Sequence, residues 1–149
     1  MLNKRVFTVA LLTALFTPYL SAQTIDLDDL DGNWHLRILD GMEVRKARAI
    51  LDFDPKKMTI NGFDGCNRIT GTLIVNNNTM SSQLKATKRA CRLTVQSYVS
   101  QRLHKVMKKG FTVSETTTNG VEGITLKNPE HTLFFGKMGS DSFLDKVVK

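Results

Sequence analysis

The chain reads as an α+β fold that is mostly β: a largely antiparallel sheet curled around, or packed on, one main amphipathic helix. Three observations predict it. Short runs that alternate apolar and polar residues recur between turn signals along most of the chain. A single stretch, about Thr94 to Lys109, repeats its apolar residues at helical spacing. Parallel pairing of so many strands would need further crossover helices, and none can be read.

Asp26, Asp28, Asp29 and Asp31 open the folded part and suit the cap of a short helical turn. Trp34, Leu36 and Ile38 alternate with His35 and Arg37, which predicts a half-buried strand over Trp34 to Leu39, with Trp34 as a core anchor. Asp40-Gly41 is a turn signal. A strand over Ala49 to Phe53 follows, then a turn through Asp54-Pro55-Lys56-Lys57 into a strand over Met58 to Gly62. Gly71 to Val75 reads as the next strand, and Asn76-Asn77-Asn78 turns the chain into Thr79 to Thr87.

In the helix, Val95, Val99, Leu103 and Val106 form an apolar stripe that Tyr98 and Met107 widen. Thr94 is the expected N-cap, Lys108 and Lys109 suit the negative end, and Gly110 the stop. His104 reads as a partly exposed surface residue. Strands over Phe111 to Thr116, Gly123 to Lys127 and Thr132 to Lys137 close the chain, separated by turns at Asn119-Gly120 and Asn128-Pro129.

Lys4 and Arg5, the apolar run Val6 to Phe16 and the small-residue exit Leu20-Ser21-Ala22 have the three-part pattern of a secretory signal peptide over residues 1–22. The apolar run is short for a membrane span, although an uncleaved N-terminal anchor is the alternative. Residues 23–149 then form one domain with a single core. The expected location is periplasmic or secreted, with membrane contact at most peripheral, and no cysteine near the exit offers a lipid attachment point.

Outside the leader, 19 basic residues face 14 acidic ones, a formal charge of +5. No acidic residue lies between Gly65 and Ser114, whereas Arg68, Lys85, Lys88, Arg89, Arg92, Arg102, Lys105, Lys108 and Lys109 all do. A segment of one sign draws anionic partners, or is a solvated surface with countercharges elsewhere in the fold. Nucleic acid is not the expected partner, because a stacking aromatic motif is missing and export removes the opportunity.

Cys66 and Cys91 are the only cysteines. After an export signal they suggest one disulfide, which would close a loop of about 26 residues worth ~3.5 kcal/mol on the chain-entropy account. Two free buried thiols are the alternative. The pair lacks Cys-x-x-Cys redox spacing, and His35, His104 and His131 lack ligand spacing for zinc, so neither a metal nor a cofactor is expected. Gly-x-Ser-x-Gly, His-Glu-x-x-His, P-loop and Gly-x-Gly-x-x-Gly patterns do not occur, so no catalytic residue can be named.

Leu30-Asp31-Gly32-Asn33-Trp34, Phe53, Gly65-Cys66-Asn67-Arg68-x-x-Gly71 and the run from Thr87 to Cys91 before an amphipathic helix resemble the META/HslJ family of small bacterial envelope domains. The similarity spans roughly residues 27 to 137. The second run departs from the family's Thr-Arg-Met-x-Cys, with Lys88 at the arginine place and Arg89 at the methionine place. The resemblance implies a curled, cracked-barrel-like antiparallel sheet with a helix and no established catalytic activity. It also implies an association with heat shock, envelope stress, motility and novobiocin resistance.

The expected function is therefore a non-enzymatic exported domain, a monomer, that supports envelope stress tolerance by binding a small anionic or lipidic ligand. The alternative is a protein–protein interaction module, inhibitor-like or chaperone-like, acting on an envelope or secreted partner. Asn67, Arg68, Thr87, Lys88 and Arg89 are the candidate contacts in either case. Asn67 has a second reading, in which its side chain simply bonds the turn backbone.

Overall fold

A computed structural model describes residues 25–139, and the predicted leader over 1–22 lies outside them. In chain order the strands are β1 (Gly32–Leu39), β2 (Met42–Glu43), β3 (Ile50–Asp54), β4 (Thr59–Phe63), β5 (Arg68–Thr72), β6 (Ile74–Asn76), β7 (Thr79–Ser81), β8 (Lys85–Ala86), β9 (Thr112–Thr118), β10 (Val121–Lys127) and β11 (Thr132–Lys137). The helix α1 (Thr94–Lys109) stands between β8 and β9, and two 3-10 turns occupy Leu27–Leu30 and Arg45–Ala47.

Nine strands form one antiparallel sheet in the order β8-β5-β4-β3-β1-β11-β10-β9, with β2 on the end of β1. Neither β8 nor β9 pairs with the other, so the sheet is not closed into a barrel. β6 and β7 form a separate ribbon, tied to the start of β9 by a single bridge between Met80 and Phe111. The helix α1 packs against β7 and the second 3-10 turn. Its Val99, Leu103, Val106 and Met107 are fully buried in the same cluster as Leu36, Leu51, Phe53, Ile60, Ile124 and Phe135. Each such side chain contributes on the order of 1.5–3 kcal/mol by leaving water.

Period-two alternation decides which residues reach that cluster. Trp34 pairs with Leu51, which faces Gly62 and then Ile69 across the sheet, and all belong to the inner face. The row beside it, His35–Ile50–Phe63–Arg68, belongs to the outer face. Trp34 is buried as expected and donates its indole N–H to the Leu30 carbonyl at 2.9 Å. Asp26 caps the first 3-10 turn by accepting from the Asp28 N–H at 3.2 Å.

Three sequence expectations need correction. The strand expected over Gly71 to Val75 is two pieces. β5 begins at Arg68 because a tight hairpin from Asp64 to Asn67 pairs Arg68 with Phe63, and the chain leaves the sheet at Leu73, whose N–H bonds Met58. Thr79 to Thr87 is likewise split, since the Ser82 N–H turns to the Met107 carbonyl at 2.8 Å. Leu93, not Thr94, is the N-cap of α1. Gln96 reaches back with its side-chain oxygen to the N–H groups of Arg92 and Leu93, both at 3.0 Å, and relieves the need for a capping hydroxyl.

Candidate functional site

The β4–β5 hairpin carries the site, and its turn is built around one buried carboxylate. Asp64 is 1% exposed. Its Oδ1 accepts from the N–H groups of Cys66 at 2.8 Å and Asn67 at 2.7 Å. Its Oδ2 accepts from the Ser100 hydroxyl at 2.9 Å and lies 2.8 Å from His104 Nε2. Burial alone would push this carboxyl up. The bonds from His104, the two N–H groups and Ser100 outweigh it and hold the group below the ordinary aspartate range. Asp64 thus fastens the hairpin turn to α1 across 36 and 40 residues of sequence.

Gly65 is wedged between that helix and the second 3-10 turn. A Cβ there would stand 3.3 Å from the Gln96 carbonyl oxygen and 3.4 Å from that of Ala47, at a φ of +103° that favours glycine. Next in the chain, Cys66 is bonded to Cys91, with Cα atoms 4.9 Å apart. The alternative of two free buried thiols is therefore excluded.

Asn67 binds the strand-like segment that leads to Cys91. Its Oδ1 accepts from the Thr87 hydroxyl at 3.0 Å and from the Arg89 N–H, and its Nδ2 donates to the Arg89 carbonyl at 3.1 Å. The Thr87 hydroxyl also accepts from the Arg68 N–H at 3.2 Å. These bonds, β5–β8 pairing and the disulfide fix residues 87–91 against the hairpin.

What they frame is an open cleft of about 710 Å³ lined by Arg48, Ile50, Phe63, Cys66, Arg68, Thr87 and Arg89. Ile50 and Phe63 are neighbours in the outer-face row and remain half-buried, giving the cleft an apolar floor. Arg48, Arg68 and Arg89 are exposed at its rim, and none of them forms an ion pair among the described residues. Arg48 ends the second 3-10 turn in the left-handed conformation, φ 56° and ψ 33°, which an arginine holds at a cost in strain.

Of the residues singled out from sequence, Arg68, Thr87, Arg89 and Cys66 come together on this cleft. Asn67 stands behind it as the residue that positions Thr87 and Arg89. Lys88 is exposed and does not line it. Sequence reasoning passed over Arg48, Ile50, Phe63 and Asp64. His104 is partly exposed, as expected, and its bond to Asp64 is what the sequence did not show. The signal for Asp64 was its place as the last carboxylate before a long acid-free segment, next to Gly65-Cys66. Ser100 and His104, four apart, share one helical face.

Among the described residues no group of histidine, cysteine or carboxylate side chains could hold a metal ion. No described helix is long and apolar enough to cross a membrane.

An open antiparallel sheet capped by one helix, with a stapled cationic cleft on its outer face, defines a small β-rich domain. A family model described as the META domain matches residues 26–139, and the chain belongs to the META domain family. Among solved structures, an NMR structure of a protein from Burkholderia xenovorans is similar, with a TM-score of 0.57. The two chains are 19% identical over 93% of this chain and 99% of that one, a likeness of fold alone. No curated protein matches the chain.

Proposed function

We propose that this META domain is a non-enzymatic exported binding domain whose cleft takes an amphiphilic anion, and that it supports envelope stress tolerance through that ligand. The anionic group would sit among Arg48, Arg68 and Arg89, and the apolar part would lie across Ile50 and Phe63. The observation that carries this reading is the composition of the cleft: three unpaired guanidinium groups around an apolar floor, with no carboxylate in the lining. Guanidinium forks match phosphate and carboxylate oxygens in pairs.

Titration calorimetry on the mature protein tests the idea with three probes: dodecyl phosphate below its micelle concentration, dodecyl maltoside and inorganic phosphate. Dodecyl phosphate should bind at least tenfold more tightly than either of the others, and Arg68→Ala and Arg89→Ala should each weaken it about tenfold, equivalent to about 1.4 kcal/mol. Equal binding of the maltoside, or indifference to both substitutions, would count against an anionic amphiphile.

A second reading, a docking module for an acidic envelope or secreted protein, is favoured by the surface beside the cleft. There Leu93 is 52% exposed among Arg45, Lys46, Arg48 and Gln96. In that case a single partner captured from envelope extracts should be lost on changing Arg68 or Arg89, while none of the three small probes binds.

A further inference from the structure

We propose that the free edge of β9 is a docking site for an extended, basic segment of a partner protein, added to the sheet as a further antiparallel strand. This surface lies apart from the arginine cleft and does not depend on what that cleft binds.

The two ends of the sheet are unequal. At one end β8 is only two residues long and carries Lys85, with Lys88 close behind, a short and charged edge of the kind that resists further pairing. At the other end β9 runs for seven residues, Thr112–Thr118, in unbroken register with β10 from Lys127 to Val121. It has no proline, no lysine and no bulge, and its sequence is threonine-rich with one valine, a good strand composition. Among the described residues only β10 pairs with it; the ribbon's bridge is at Phe111, and β7 packs beside the start of β9. One side of β9 therefore presents open backbone N–H and C=O groups along most of its length.

The chemistry beside that edge selects the occupant. Glu115 pairs with Ile124, and Thr117 with Glu122, so Glu115, Thr117 and Glu122 share the inner face at the rim of the sheet. There they line a cleft of about 570 Å³ together with Asp28 and Asp29 of the first 3-10 turn and with Trp34. Lys137 is the one cation in the lining, against four carboxylates, and it lies over the Trp34 ring with Nζ 5.5 Å from the centroid. An incoming strand places alternate side chains over this cleft. A lysine or arginine opposite Glu115 forms a cross-strand pair of opposite charge, and the next residue on the same face points toward the remaining acids. Backbone bonds supply affinity and the alternate cations supply selectivity.

A second copy of this chain fits the edge poorly. Full-length antiparallel pairing of two β9 strands sets Glu115 opposite Glu115, a like-charge contact that opposes association.

The test is an amide NMR titration of the mature protein with a blocked heptapeptide alternating valine and lysine, beside its valine–glutamate counterpart. The amides of Glu115 and Thr117, which face away from β10 as Phe111 does, should shift and gain exchange protection with the lysine peptide, which should bind at least tenfold more tightly than the glutamate one. Glu115→Lys, an exposed change, should abolish or reverse that preference. The proposal is overturned if the amides of Glu115 and Thr117 do not respond, if both peptides act alike, or if these two amides are already protected in the free monomer or in a dimer.

Discussion

Asp64 Oδ2 lies 2.8 Å from His104 Nε2, joining a hairpin turn of the sheet to the middle of the only α-helix among the described residues. With the Ser100 hydroxyl on the same oxygen and two N–H groups on the other, one carboxylate sets both the shape of the turn and its place on the helix. The arginine cleft is an indirect product of that arrangement, since Cys66, Asn67 and Arg68 follow directly from the turn.

The direction of the Asp64 shift fixes a pH dependence. Its folded-state pKa is below the ordinary 3.8, so the stabilisation is fully present above that value and is lost as pH falls through the folded one. Asp40 shifts the same way: burial opposes it, but the Thr132 N–H and His131 prevail. Urea midpoints should therefore fall steeply below about pH 4. Asp64→Asn keeps the size but loses the charge, and should cost about 2–3 kcal/mol at pH 7 with a shallower acid slope. An unchanged slope would remove Asp64 from this role.

Reducing Cys66–Cys91, or replacing both residues by alanine, should lower stability by about 3 kcal/mol as read by denaturant unfolding with and without a dithiol. The core contacts of α1 and the sheet do not involve the bridge, so the far-ultraviolet circular dichroism should stay native in the absence of denaturant. Loss of that signal on reduction alone would mean the bridge does more than staple.

Asn67→Ala deletes three hydrogen bonds to Thr87 and Arg89 in a half-exposed setting. The expected loss is about 1–2 kcal/mol, with faster amide exchange confined to residues 87–90. Uniform acceleration across the sheet would instead mark a global effect.

Arg48→Gly separates stability from binding. Glycine relieves the left-handed conformation and should raise stability by about 0.5–1 kcal/mol, while dodecyl phosphate binding weakens severalfold. A variant that is stabilised and binds normally would take Arg48 out of the cleft's function.

How much of this was legible in the sequence depended on range. Period-two and 3.6-residue patterns are local, so β11 was read to the residue, α1 to its helical span and β1 within two residues at its start. The turn signals at Asp40-Gly41 and Asn119-Gly120 are local too, and all four residues have positive φ. The divisions at Leu73 and Ser82 were not legible, because each is set by a backbone bond to a distant partner, Met58 or Met107. In the same way Arg68, Thr87 and Arg89 stood out by type and by their place beside the cysteines. Arg48 and Phe63 join them only through the β3–β4–β5 register, and Asp64 only through a helix 36 residues away.

Intermolecular NOEs between the alkyl chain of dodecyl phosphate and the side chains of Ile50 and Phe63 test the binding account most directly. The account predicts contacts to both residues, with chemical-shift changes at the guanidinium groups of Arg48, Arg68 and Arg89, all lost in the Arg68→Ala, Arg89→Ala double variant. Contacts instead to the inner-face core, or none at either site with the ligand in excess, would contradict it.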